Sequence, residues 1–95
     1  MKNIKIELDK ERTMRLDFNA LIDFEEKAGV RIDQVGEDFS LRQMRAFLWA
    51  ALRHEDPDLT EEDVGAMLHL GNVEYVSEKI TEVMQKHTPE GESKN

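Results

Sequence analysis

The hydrophobic period of this chain changes once, and that change limits the folds open to it. From Lys2 to Leu8 apolar and charged residues alternate, with Ile4, Ile6 and Leu8 on one side and Lys5 and Glu7 on the other. A second run sets Met14, Leu16 and Phe18 against Arg15 and Asp17. A period of two is the mark of a half-buried strand. The short polar stretch Asp9-Lys10-Glu11-Arg12 between the runs makes an antiparallel hairpin the economical connection. Two strands alone are barely stable in water, so their apolar face has to lie on helices. From Asn19 onward the apolar spacing becomes three and four, the helical period.

Asp17 or Asn19 is placed to cap the first helix, about 19–28; with Asp17 as the cap, Leu16 and Leu21 occupy the two staple positions. Ala20, Leu21, Phe24 and Ala28 form its apolar face, and Gly29 supplies a left-handed stop. Val30 to Phe39 reads as a connector, with Ile32, Val35 and Phe39 as core plugs. Ser40 and Gln43 make a capping box for a second helix, 41–55, whose core stripe is Leu41, Met44, Phe47, Leu48, Ala51 and Leu52. Pro57 closes that segment, because the residue before a proline avoids the helical region.

Thr60 opens a third helix, 61–70, with Glu61, Glu62 and Asp63 in the turn where carboxylates favour the dipole. Val64, Met67 and Leu68 face inward and Gly71 ends it. Asn72 is expected to cap a fourth helix, 73–87, carrying Val73, Val76, Ile80, Val83 and Met84. The last eight residues, 88–95, hold no apolar side chain and read as a disordered tail. The predicted architecture is a single α+β domain over 1–87, in which an N-terminal β-hairpin (2–18) packs on a bundle of about four α-helices.

Charge and composition remove several functions. A formal net charge of -8 on 95 residues disfavours nucleic acid, whose phosphates reward positive charge. A DNA-reading helix-turn-helix fails too, since the helix that would enter the groove opens with three acids and has no Lys or Arg. The longest apolar stretch, Ala46 to Leu52, is far short of the roughly 20 residues of a membrane span. The charged start, Met1-Lys2-Asn3-Ile4-Lys5, is not followed by the apolar run of an export signal. Without cysteine there is no disulfide framework or thiolate site, and a cytoplasmic location is expected.

No catalytic pattern is legible. His54 stands beside Glu55 and Asp56, but helix neighbours point about 100° apart. His69 and His87 fall near helix ends, where histidines commonly meet terminal carbonyls. The sequence holds no Ser-His-Asp order, glycine-rich phosphate loop or His-x-x-x-His pair. Glu55, Asp56, Asp58, Glu61, Glu62 and Asp63 invite a calcium reading, yet a frame begun at Asp56 puts Glu61 at the turn glycine and Met67 at the bidentate glutamate. Neither a metal nor a cofactor is implied, and the chain is not read as an enzyme.

One group remains. Stepping about 100° per residue, Arg42, Arg45, Trp49 and Arg53 fall within an arc of roughly 80° opposite the core stripe of the second helix. Trp and Arg are enriched at binding hot spots, where a rigid aromatic and a forked cation act together. Either that helix is packed on both sides, with Trp49 under the hairpin or the last helix and the arginines paired to carboxylates at the rim, or this face binds a protein.

The order of motifs also resembles a family. Met14-Arg15-Leu16-Asp17-Phe18-Asn19-Ala20-Leu21 runs into Phe24-Glu25-Glu26-Lys27-Ala28-Gly29. Ser40-Leu41-Arg42, Leu48 to Pro57 and Leu59-Thr60-Glu61-Glu62-Asp63-Val64-Gly65 follow. Over about residues 4–86 this is similar to the tail assembly chaperones of long-tailed bacteriophages and related gene transfer agents. The resemblance implies a small acidic protein of the bacterial host cytoplasm, absent from the mature virion. It would bind the tape measure protein and keep that long helical polypeptide soluble during tail morphogenesis. Many such families also make a longer form by ribosomal frameshift. Weak homo-oligomers are an expected by-product of a surface built for an apolar client. The competing reading is a small acidic regulator or inhibitor docking a basic host protein, whose binding would fade with salt.

Overall fold

The computed structural model describes residues 3–32 and 39–87. Its elements are β1 (Asn3–Glu7), β2 (Glu11–Arg15), α1 (Phe18–Ala28), α2 (Leu41–Leu52), α3 (Glu61–Met67) and α4 (Val73–His87). The two strands pair antiparallel, Asn3 opposite Arg15 through Glu7 opposite Glu11. The fold is α+β, an N-terminal hairpin followed by four helices. Val35 and the 88–95 tail lie outside the described residues.

The hairpin buries Ile6 and Met14 in the core, and side chains from α4 and from the turn after α2 bond its backbone edges. The Thr13 N–H donates to Glu55 Oε1 at 3.1 Å, and His54 Nε2 donates to the Thr13 carbonyl at 2.8 Å. On the other edge the Glu7 N–H donates to the Tyr75 hydroxyl at 2.9 Å. An unpaired edge invites pairing with other chains, and these side chains occupy part of it.

The register places Arg12 opposite Ile6, on the core-facing side, where it is only 6% exposed. The polar stretch from Asp9 to Arg12 is longer than the turn it contains, and β2 already begins at Glu11. Asp9 makes this burial tolerable, accepting from Arg12 Nε at 2.8 Å and Nη2 at 2.9 Å. Hydrogen bonding from Arg12 is the main cause that lowers the Asp9 carboxyl from 3.8 to about 2. Asp9 in turn raises Arg12. A carboxyl depressed in the folded state stabilises the protein above its unfolded value, and that contribution is lost as pH falls through the folded one. Parent stability is therefore expected to fall between about pH 4 and pH 2. In Asp9→Asn this segment of the stability-pH curve flattens, and stability at pH 7 drops by about 0.5–1.5 kcal/mol, the scale of a charge-assisted bond screened by solvent at a half-exposed carboxylate. Parallel curves for parent and variant in acid denaturation would refute the assignment.

The helix starts follow their caps. Asp17 accepts from the Ala20 N–H, and Ser40 and Gln43 form the expected box. Thr60 and Asp63 form a second one. Gly29 ends α1 at φ 76°, a left-handed conformation that glycine adopts without strain.

Several readings need correction. Phe18 is 76% exposed rather than inward, because β2 ends at Arg15 and the strand alternation no longer holds at the start of α1. The second helix stops at Leu52 rather than 55; the next turn closes with bonds that span three residues instead of four, Glu55 N–H to the Leu52 carbonyl and Asp56 N–H to that of Arg53. The third ends at Met67 rather than 70, with Leu68 extended and no left-handed Gly71. Asn72 explains this ending. Its carbonyl accepts the first bond of α4 from Val76, but its side chain turns back, donating to the Met67 carbonyl and accepting from the His69 N–H.

α2 is the central helix. Met44, Phe47, Leu48, Ala51 and Leu52 are buried as the stripe predicts, but so are Ala46 and Ala50 toward the Arg and Trp side. Phe47 meets Phe24 edge-on at 5.7 Å and Phe39 at 5.5 Å between ring centres. Val64, Val76, Ile80 and Val83 complete the core from α3 and α4. Leu41 departs from the stripe and is 64% exposed.

Candidate functional site

The four residues aligned on α2 enter two different surroundings. Trp49 and Arg53 belong to the seam with α1. The Trp49 Nε1–H donates to the Leu59 carbonyl at 2.9 Å. Lys27 Nζ of α1 lies 5.2 Å and the Arg53 guanidinium 4.9 Å from the centre of the indole. Arg53 Nη1 also bonds Asp23 Oδ2 of α1 at 2.8 Å. Trp49 is half-buried, with its polar edge satisfied by the loop before α3. These contacts hold α1, α2 and that loop together.

Arg42 and Arg45 lie toward the other end of α2 and border a groove of about 510 Å³. Leu41, Gly65, Leu68, His69, Leu70 and Val73 line the rest of it. Its walls are therefore the first turn of α2, the body of α3, the α3–α4 turn and the start of α4. Leu70 is 89% exposed, which with Leu41 makes an apolar rim on an acidic protein.

Local structure shapes the groove. Gly65 lets α3 approach α2, since a Cβ there would come within 3.3 Å of Arg45 Cδ. The turn carrying Leu68, His69 and Leu70 is pinned by the two side-chain bonds of Asn72 and by the Gly71 N–H donating to His69 Nδ1 at 3.1 Å. Leu70 is thus presented on a fixed backbone, which lowers the ordering cost of binding.

Among the described residues neither Arg42 nor Arg45 forms a side-chain ion pair or hydrogen bond, and Arg45 Nε is buried without a partner. Sequence periodicity identified these cations but missed Leu41, Leu68 and Leu70. Leu70 lies beyond the true end of α3, so no helical pattern marks it as surface or core.

Two members of the acidic run have structural partners. Glu55 accepts from Thr13 and Asp63 from the Thr60 N–H. Among the described residues no group of three or more His, Cys, Asp or Glu is placed to hold a metal ion. No described helix is long and apolar enough to cross a membrane. Comparison with protein-family models, curated proteins and solved structures gave no match to this chain.

Proposed function

We propose that this protein is a phage or prophage tail assembly chaperone, a non-enzymatic cytoplasmic protein that binds the tape measure protein and keeps it soluble during tail morphogenesis. The observation that carries this reading is the apolar groove at Leu41, Leu68, Leu70 and Val73 on a domain of net charge -8. Such a surface covers apolar stretches of a client while the remaining charge keeps the complex dissolved. The motif order described above supplies the identity of the client. Arg42 and Arg45 contribute to binding at the rim of the groove, and Trp49 and Arg53 fix the helix that presents them.

Co-expression with the tape measure protein of the same phage or prophage tests the proposal. The client is expected to move from the pellet to the soluble fraction and to co-elute with the chaperone on size exclusion, and the complex is expected to persist at moderate salt. Unchanged precipitation would refute the reading. A complex with a basic host protein that dissociates in moderate salt would favour the inhibitor.

A further inference from the structure

We infer that the groove receives an amphipathic helix whose apolar stripe is flanked by carboxylates. This deepens the proposed function and rests on it for the identity of the natural client. Three observations select that occupant. The lining is apolar at Leu41, Leu68, Leu70 and Val73, and a groove of this kind takes helix side chains at i, i+3, i+4 and i+7. Two arginines without side-chain partners among the described residues stand on one side of it, and a guanidinium at an interface prefers a carboxylate. Arg42 also sits in the first turn of α2, which has no acidic residue. Its charge adds to the positive end of the helix dipole there, and an arriving carboxylate answers both.

Other occupants fit less well. A second copy joined through the same groove would bring four arginines into one interface while supplying no carboxylate from the groove lining, and like charges gathered there oppose association. Residues 88–95 of the chain itself have no apolar side chain to fill the groove.

The test uses the full chain and a synthetic amphipathic helix with leucines at i, i+3, i+4 and i+7, made once with flanking glutamates and once with flanking lysines. Binding of the glutamate peptide is expected to shift the amide resonances of Leu41, Gly65 and Leu70, at least tenfold more tightly than the lysine peptide. Arg42→Glu, at an exposed position, is expected to reduce or invert that preference. Leu41→Asp with Leu70→Asp, both on exposed side chains, is expected to abolish binding with an unchanged melting temperature. Shifts centred elsewhere, no shift, or equal affinity for both peptides would overturn the inference. The same Leu41→Asp, Leu70→Asp variant in co-expression separates the two claims. If it still solubilises the tape measure protein, the groove assignment fails and the chaperone reading survives. If the parent binds the glutamate peptide but leaves the client insoluble, the chaperone reading fails alone.

Discussion

Replacing Phe47 by alanine is expected to lower stability by about 3–5 kcal/mol, the range for deleting a large buried aromatic. The side chain has no exposed surface and contacts two other rings, Phe24 of α1 and Phe39 of the connector. Removing it opens a cavity where α1, α2 and Phe39 meet, and the structure around such a cavity relaxes only in part. A domain of this size has a total stability of about 5–15 kcal/mol, so the loss is a large part of the whole. In melting temperature it corresponds to a fall of more than about 12 °C. Phe18→Ala is the matched control. That ring is mostly exposed, and its removal is expected to change stability by no more than about 0.5 kcal/mol. Urea denaturation followed by far-ultraviolet circular dichroism measures both. Equal effects of the two substitutions would refute this placement of the core.

Hydrophobic period and cap chemistry carried most of the fold. Asp17, Ser40 and Thr60 start their helices because a side-chain oxygen three residues upstream of a free N–H satisfies it wherever the chain later goes. Such local bonds are legible in sequence. Helix ends were less so: Gly29 stops α1 by its own conformation, whereas α3 ends where Asn72, five residues on, captures the Met67 carbonyl. The hairpin was readable from alternation, but not the burial of Arg12, which depends on Asp9 lying within reach across the turn. The site suffered from the same limit. Spacing puts Arg42 and Arg53 on one stripe, yet eleven residues of helix separate them by about 16 Å, and different elements meet its two ends. Leu70 carries no periodic signal at all; only the position of the turn exposes it.

The two ends of that stripe are separable by experiment, and Trp49→Ala is expected to lower stability by about 2–4 kcal/mol while leaving the affinity of the groove for a carboxylate-flanked helix within about twofold. The range lies below that of a fully enclosed tryptophan because part of the indole faces solvent. The loss has three sources: the bond to the Leu59 carbonyl, the covering of Lys27 and Arg53, and the packing that fixes the loop before α3. Trp49→Phe keeps much of the packing and removes the bond, so about 0.5–1.5 kcal/mol of the effect is assigned to the indole N–H. Binding is measured at a temperature where circular dichroism shows the variant folded, so that unfolding does not lower the apparent affinity. A tryptophan that acted as the anchor for the client would give the opposite pair of results, with a melting temperature near that of the parent and an affinity reduced by tenfold or more. The bond from Nε1 to a backbone carbonyl of the same domain favours the first outcome, because a partner that used this edge would have to replace a contact already made.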